Sequence, residues 1–302
     1  MASNILGKIS KERTISAVVI VIAALAAILP GGIILAAVLY GVSVIGYLEL
    51  TKACGVRQKT QEGMDDKRLN ALEIVGVAAV TGYYAAVYVT HPGAGFLSGL
   101  PDAGFSALDI GIMISLFLSL IMMMSVYVFA FPKYSAHQVM AAYFSLVYAP
   151  VMLSFVFLTR QLEYGVYLVW MIFINSWISD TCAYLVGVMA GKHKLAPVLS
   201  PKKSVEGSVG GIAGAALAGA LFGHYLDTVL GTGQFVFLLF LVGGIGSVIS
   251  QIGDLAASAV KRNYDIKDYG KLIPGHGGIM DRFDSVIFTA PITYFLIILF
   301  MG

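Results

Sequence analysis

The sequence predicts an all-α membrane protein that crosses the bilayer many times, and its composition is the first indication. Hydrophobic residues make up 58% of the 302 residues, charged residues only 12%, and the mean hydropathy is +0.86. Water-soluble domains have about 25% charged residues, so this chain has too few charges to cover a soluble surface. The composition therefore excludes an ordinary cytosolic enzyme, and two cysteines are too few for a secreted disulfide scaffold.

Nine apolar segments give the second indication, because a helix that crosses a membrane needs about 20 mostly apolar residues. We predict membrane-spanning helices over 15–29, 33–51, 70–90, 108–130, 138–158, 165–189, 207–224, 233–253 and 284–301. The first two helices are separated only by Pro30, Gly31 and Gly32, a combination typical of a tight turn. An odd number of spans puts the two ends of the chain on opposite sides of the membrane.

The distribution of basic residues gives the third indication and predicts the orientation. If the N-terminus lies in the cytoplasm, 18 of the 19 Lys and Arg residues fall in inner segments and only Arg160 falls outside. Those inner segments are 1–14, 52–69, 131–137, 190–206 and 254–283. Short loops rich in Lys and Arg stay in the cytoplasm, so we expect a multi-pass protein of the plasma membrane whose chemistry lies at the cytoplasmic face.

The polar residues divide the chain into two regions. Residues 1–170 are predicted to be N-terminal transmembrane helices that act as a scaffold, and residues 171–302 to be a transmembrane catalytic region. The second region carries the cytoplasmic loops 190–206 and 254–283. Small residues spaced four apart from Gly210 permit close helix packing and leave a homodimer as one open oligomeric state.

Residues 253–285 form the first polar cluster, in which carboxylates and cationic side chains alternate. Carboxylates hold Mg²⁺ through oxygen ligands, and cationic side chains hold phosphate oxygens. Glycines beside His276 let backbone amides approach an anion closely. The charged members are Asp254, Lys261, Arg262, Asp265, Lys267, Asp268, Lys271, Asp281, Arg282 and Asp284. This combination predicts a metal and phosphate site, although most charged loops are only solvated.

The spacing of this cluster places several of its side chains on helices. Asp254, Ser258 and Lys261 recur at the interval of one helical face, so the eighth helix is expected to continue into the cytoplasm. Asp281 and Asp284 are three residues apart at the start of the last helix, whose N-terminus favours a phosphate. An acid at the edge of a hydrophobic span is costly unless it serves a site, which favours a functional role.

Residues 175–207 form the second polar cluster. Asp180 lies inside an otherwise apolar helix, and Lys202, Lys203 and Ser204 lie in the loop that leads to the seventh helix. We expect this loop to contact a substrate phosphate and Ser204 to begin the helix. The alternatives are that the lysines contact lipid headgroups and that Asp180 pairs with a neighbouring helix.

Both clusters resemble one known family. The first reads Ser258-x-x-Lys261-Arg262-x4-Lys267-Asp268-x-Gly270-x2-Ile273-Pro274-x-His276-Gly277-Gly278-Ile279-x-Asp281-Arg282-Phe283-Asp284, which resembles the signature of the CDP-diacylglycerol synthases, or phosphatidate cytidylyltransferases. The second is similar in Asp180, Ala183, Tyr184, Gly187, Gly191, Lys192 and the loop Ser200-Pro201-Lys202-Lys203. The resemblance covers 175–302, with Ser204 where many members have Thr and Ala257 where many have Glu.

The resemblance implies transfer of a cytidylyl group from CTP to phosphatidate, which gives CDP-diacylglycerol and pyrophosphate in phospholipid biosynthesis. CTP would arrive from the cytoplasm and phosphatidate from the inner leaflet of the membrane, and nucleic acid is not an expected partner. The resemblance implies Mg²⁺ on Asp254 and Asp281, with Asp284 and Asp268 as candidate ligands of a second cation. The implied catalytic residues are Asp254, Lys261, Arg262, Lys267, Asp268, His276, Asp281, Arg282 and Asp284. The implied substrate-binding residues are Asp180, Lys202, Lys203, Ser204, Ser258, Gly277 and Gly278.

Three other functions stay open on the sequence. A CTP-dependent lipid or polyprenol kinase would also be polytopic and metal-dependent, but it would release CDP instead of pyrophosphate. A cation-coupled membrane transporter would use Asp180, Asp254 and Asp284 as an ion site. A cytidylyltransferase for another lipid phosphate would share the chemistry of the site.

Overall fold

The computed structural model describes residues 18–57, 68–91, 106–273 and 277–301. Apart from one short β-hairpin, these residues form helices and the turns between them. The helices are α1 (Val18–Ile28), α2 (Gly32–Ala53), α3 (Ala71–Thr90), α4 (Ala107–Phe129), α5 (Ala136–Leu146), α6 (Met152–Gln161), α7 (Gly165–Leu168), α8 (Trp170–Ala190), α9 (Val205–Leu230), α10 (Phe235–Asn263) and α11 (Met280–Met301). A π-helical turn, Val147–Val151, joins α5 to α6. Strands β1 (Lys194–Ala196) and β2 (Ser200–Ser204) form the antiparallel hairpin.

Within the described residues, eight helical stretches are long and apolar enough to cross a membrane. They are α2, α3, α4, α5 with α6, α7 with α8, α9, α10 and α11. The predicted all-α, multi-pass architecture is therefore confirmed, with the hairpin as an addition that the sequence did not predict. The predicted span 15–29 corresponds to α1, which is shorter, and residues 15–17 lie outside the described part of the chain.

Polar side chains determine where three of the membrane helices begin. Asn70 before α3, Ser106 before α4 and Ser135 before α5 each accept a hydrogen bond from the backbone N–H three residues further on. In each case the acidic or amide side chain of that third residue accepts a hydrogen bond from the backbone of the capping residue in return. These contacts satisfy amide groups at the helix ends, which have no partner within the helix.

The chain forms two compact units, each built from two stretches of sequence. The first unit contains residues 1–157 and 266–282, and the second contains residues 158–265 and 283–302. The loop before α11 groups with the N-terminal helices in this division, while the functional division at residue 170 stays a prediction. One contact between the loop and these helices is made by Glu49 of α2, whose carboxylate accepts hydrogen bonds from the backbone at the start of α11.

In the first unit, a buried ion pair connects Arg57, which follows α2, to Glu73 in the first turn of α3. The carboxylate of Glu73 is fully buried and lies 2.8 Å from Nη2 of Arg57, measured from its Oε1 atom. It also accepts a hydrogen bond from the backbone N–H of Asn70 at 3.0 Å. A buried charge is tolerated when it is paired and hydrogen-bonded in this way, so Glu73 has a structural role in this unit.

In the second unit, glycines allow α8, α9 and α10 to pack closely. A Cβ atom added to Gly243 of α10 would meet the carbonyl oxygen of Ala215 on α9. Gly210 and Gly214 of α9 lie in the same manner against side chains of α8. Small residues let helix backbones approach each other in a bilayer. Gly210 and Gly214 therefore serve helix packing within this chain.

Candidate active site

A cavity of about 590 Å³ lies in the second unit, between α8, the hairpin, α9 and α10. Its volume falls within the range of about 300 to 1,000 Å³ that is usual for ligand sites. Five of the predicted site residues line it, namely Asp180, Lys202, Lys203, Ser204 and Asp254. Because Asp254 comes from the first polar cluster and the others from the second, the cavity joins the two clusters.

The hairpin positions the two lysines at the cavity. β1 pairs with β2 so that Lys194 lies opposite Ser204. Ser204 ends β2 and begins α9, where its hydroxyl accepts a hydrogen bond from the N–H of Gly207 at 3.2 Å. This cap confirms the predicted start of the helix. Lys202 and Lys203 directly precede the cap, so their position relative to α9 is fixed by it.

An ion pair crosses the cavity from the hairpin to α10. The Nζ atom of Lys203 contacts Oδ2 of Asp254, and the two side chains are 26% and 28% exposed. α10 runs past its predicted end at residue 253 to Asn263, as the helical spacing of Asp254, Ser258 and Lys261 predicts. A partly solvated ion pair contributes little to stability. The Nζ atom of Lys203 is itself buried, so a phosphate would have to meet it inside the cavity.

Asp254 is the centre of a group of three carboxylates. It interacts electrostatically with Asp180 of α8 and with Asp284 of α11. Lys203 offsets part of this negative charge near Asp180, and Lys261 does so near Asp284. Lys194 and Lys202 also line the cavity, so acidic and cationic side chains are mixed there, and the carboxylates around Asp254 are the groups that a cation would contact.

The three carboxylates offer oxygen atoms, which are the type of ligand that Mg²⁺ prefers. Within the described residues, no three His, Cys, Asp or Glu side chains are arranged to hold one ion by themselves. Mg²⁺ usually binds only one or two protein carboxylates and keeps water and substrate phosphates as its other ligands. Asp254 together with Asp180 or Asp284 supplies that number of carboxylates.

A polar network that the sequence analysis missed lies one turn before Asp254. The Oε1 atom of Gln251 accepts a hydrogen bond from the hydroxyl of Ser208 at 2.5 Å, and its Nε2 donates to the Ser208 carbonyl at 3.2 Å. Nε2 also lies 3.4 Å from the hydroxyl of Ser247. Both Gln251 and Ser208 line the cavity. The signal that could have identified Gln251 is an amide within an apolar span, three residues before an acid.

In the first unit, the loop before α11 folds around Asp281. The Oδ2 atom of this buried side chain accepts hydrogen bonds from the N–H groups of Tyr269 at 2.8 Å and Gly278 at 3.0 Å. The N–H of Ile273 donates to the carbonyl of Gly277 at 2.9 Å, and Gly277 has a φ of +85°, which favours glycine. The Gly278 amide, predicted to contact a substrate, thus donates to Asp281.

Glu49 of α2 lies at the N-terminus of α11. Its Oε2 atom accepts a hydrogen bond from the N–H of Met280 at 2.9 Å, and its Oε1 atom accepts one from Ile279 at 3.2 Å. The sequence predicts that this helix end favours an anion, and a carboxylate of the protein lies there. The sequence analysis missed Glu49, although an acid in an apolar span is the same signal that identified Asp180.

The remaining predicted site residues belong to different units. α10 carries Ser258, Lys261 and Arg262, and the first unit carries Lys267, Asp268 and Arg282. The three residues of the first unit are exposed, and His276 lies outside the described residues. The predicted metal ligands are divided as well, because Asp254 and Asp284 belong to the second unit and Asp281 to the first.

The fold and the cavity define the class of protein, a multi-pass membrane protein with a charged cavity suited to an amphipathic anion. Acids and lysines meet there beside the apolar side chain of Val188 and the ring of Tyr184. The sequence model of the cytidylyltransferase family matches residues 11–300, and the chain therefore belongs to this family.

Relatives show how far the similarity extends. The phosphatidate cytidylyltransferase of Staphylococcus saprophyticus is 30% identical over 288 residues, which are 95% of this chain and 99% of the relative. The phosphatidate cytidylyltransferase of Bacillus subtilis is 43% identical over 138 residues, which are 46% of this chain and 50% of the relative. The similarity is therefore not confined to residues 175–302 and includes the N-terminal helices.

Proposed function

We infer that this chain is a phosphatidate cytidylyltransferase, which joins CTP and phosphatidate to give CDP-diacylglycerol and pyrophosphate. One observation carries this proposal within the structure, namely the cavity in which Lys202, Lys203 and Asp254 lie beside the apolar Val188. Phosphatidate has an anionic headgroup on apolar chains, so it needs cationic and apolar contacts side by side. The relatives that match along the chain carry the same name.

The reaction requires positioning and charge neutralisation more than acid–base chemistry. An oxygen of the phosphatidate phosphate attacks the α-phosphorus of CTP, a new P–O bond forms, and the bond to the β-phosphate breaks to release pyrophosphate. The attacking oxygen is already ionised near neutral pH. Lys202 and Lys203 would hold the phosphate groups, and the Ser204 cap would keep both lysines in place.

We propose Mg²⁺ as the cofactor, held by Asp254 with Asp180 or Asp284 and by phosphate oxygens of the substrate. When bound, Mg²⁺ polarises phosphate oxygens and neutralises their charge. Asp281 stays a predicted ligand, and Asp268 a candidate ligand of a second cation. Lys261, Arg262, Lys267 and Arg282 stay predicted to hold the triphosphate or phosphatidate.

The orientation is part of the proposal. We place the N-terminus and the cavity on the cytoplasmic side of the plasma membrane, where CTP is present. The 18 Lys and Arg residues of the inner segments support this choice. A homodimer also stays a prediction, and the contacts of Gly210 and Gly214 with α8 remove one of its sequence arguments.

Product analysis tests the activity. The purified protein in detergent receives phosphatidate, Mg²⁺ and CTP labelled at the α-phosphorus, and the label is followed into the lipid fraction. We expect labelled CDP-diacylglycerol, loss of label with a chelator, and loss in the Asp254→Asn variant. Release of CDP with transfer of the γ-phosphate would indicate a lipid kinase instead. Absence of any CTP turnover in folded protein, with several lipid phosphates supplied, would favour a transporter.

A further inference from the structure

Glu49 makes contacts that a residue with only a packing role would not need. It is a half-buried acid near the cytoplasmic end of the apolar helix α2, and an acid within a span is costly unless it is well partnered. Its two carboxylate oxygens accept hydrogen bonds from the consecutive amides of Ile279 and Met280, about 230 residues further along the chain. Bonds from N–H groups to a carboxylate are roughly twice as strong as neutral ones.

The loop is shaped to admit this carboxylate. A Cβ atom added to Gly278 would fall on the carboxylate oxygens of Glu49, and one added to Gly270 would fall on Oε1 of the same side chain. Both positions therefore have room for Glu49 only because they are glycines. Two glycines and two backbone amides, all far from Glu49 in the sequence, therefore form a binding site for its carboxylate.

Glu49 and Asp281 divide the amides of this loop between them. Asp281 accepts from Tyr269 and Gly278, whereas Glu49 accepts from Ile279 and Met280. The two carboxylates also repel each other electrostatically. Four N–H groups hold two like charges close together, so loss of either carboxylate would release part of the loop.

We propose that Glu49 is a positioning residue for cytidylyl transfer, an inference that rests on the proposed function. The N-terminal helix α2, through Glu49, fixes residues 277–279 and the start of α11 in the shape that sets Asp281 and Arg282 for the reaction. Glu49 does not touch the substrate in this role. The proposal gives the N-terminal helices a part in the reaction in addition to their part as a scaffold.

Three substitutions at Glu49 and Gly278 test the role. Glu49→Ala removes both acceptors, and we expect kcat to fall between about 10- and 100-fold, the range that misplacement by about 1 Å can produce. We expect the KM values for CTP and phosphatidate to change less than about threefold, because binding contacts are retained. Glu49→Gln keeps one acceptor oxygen for the two backbone N–H donors, so its kcat should lie between that of the wild type and that of Glu49→Ala. Gly278→Ala should lower kcat in the wild-type protein, but it should add little loss to Glu49→Ala, which removes the side chain that the new methyl group would meet.

Glu73→Gln is the matched control, since Glu73 is also a buried acid of the N-terminal helices but is bonded to Arg57. We expect this variant to unfold at a lower temperature while the folded enzyme keeps its kcat and KM values. A readout independent of activity is limited trypsin cleavage at Lys267 and Lys271, both exposed between α10 and α11. Cleavage there should be faster in Glu49→Ala than in the wild type and unchanged in Glu73→Gln.

The outcomes separate this inference from the proposed function. If wild-type protein transfers no label, the proposed function fails and the catalytic part of this inference fails with it, while the cleavage rates still decide whether Glu49 holds the loop. If wild-type protein is active and Glu49→Ala keeps its kcat within about twofold, the inference is overturned. It is also overturned if Glu49→Gln and Glu73→Gln lower stability alike and leave kcat unchanged, because Glu49 would then be structural only.

Discussion

Lys203 and Asp254 pair across the cavity of the second unit, one from the strand that leads into α9 and the other from α10. The proposed substrate complex requires a cationic side chain for a phosphate, which Lys203 provides, and a carboxylate for a cation, which Asp254 provides. A phosphate would compete with Asp254 for Lys203, and a cation would compete with Lys203 for Asp254. The Nζ atom of Lys203 is buried although the side chains are partly exposed. A buried charge left alone is costly, so we expect the phosphate and the cation to replace the pair together.

The first prediction concerns Lys203. We expect Lys203→Ala to lower kcat/KM for phosphatidate at least about tenfold, because a hydrogen bond to a charged group contributes about 1.5 to 3 kcal/mol and its loss leaves Asp254 uncompensated. Lys203→Arg keeps the charge and should retain part of the activity. Initial rates of CDP-diacylglycerol formation measure the effect, and Lys133→Ala, an exposed lysine outside the cavity, is the control. Equal rates for the Lys203→Ala and Lys133→Ala variants would contradict a role for Lys203.

The second prediction concerns metal removal. Chelation should abolish activity, and added Mg²⁺ should restore it. Asp254→Asn should raise the Mg²⁺ concentration needed for half-maximal activity at least about tenfold, since even residues that only support metal ligands change affinity 10- to 100-fold when replaced.

Asp227→Asn is the matched control for this experiment. Asp227 accepts hydrogen bonds from Thr232 and from the N–H groups of Phe235 and Val236, so its role is to close the turn between α9 and α10. Its variant should melt at a lower temperature with an unchanged Mg²⁺ requirement. A parallel shift of the Mg²⁺ requirement in both variants would indicate a general effect of lost charge.

The membrane helices could be predicted because lipid imposes a simple rule on the sequence. Each span must be long, apolar and helical, and the acids that break the rule, such as Asp180 and Asp254, identified part of the site. The hairpin was not predicted, since its strands of three and five residues are too short to show an alternating pattern. Glu49 was missed because its partners, the amides of Ile279 and Met280, are distant in sequence and carry no side-chain signal.

The third prediction concerns the close packing of α9 and α10. In Gly243→Ala the new methyl group would meet the carbonyl oxygen of Ala215, which cannot move without its helix. We expect a loss of about 1 to 3 kcal/mol in the free energy of unfolding, the usual effect of overpacking. Thermal unfolding in detergent measures it.

Gly41→Ala provides the control for Gly243→Ala. Gly41 lies in α2 with nothing within 4 Å of the added Cβ atom, and alanine is favoured over glycine within a helix by roughly 0.5 to 1 kcal/mol. The control should therefore be as stable as the wild type or more so. A Gly243→Ala protein of wild-type stability would show that α9 and α10 can separate at little cost.

The last prediction separates two roles of Asp281. Its Oδ2 atom accepts the hydrogen bonds from Tyr269 and Gly278. In Asp281→Asn the amide oxygen can take the place of Oδ2 and accept both bonds, so the loop should stay folded while the negative charge is lost. If Asp281 binds a cation, this variant should lose activity at least about tenfold, whereas trypsin cleavage at Lys267 should stay as slow as in the wild type. Asp281→Ala removes the acceptor as well, and should show both low activity and faster cleavage. Full activity in Asp281→Asn, with loss only in Asp281→Ala, would mean that Asp281 serves the reaction by holding the loop and that the cation is bound by the carboxylates around Asp254.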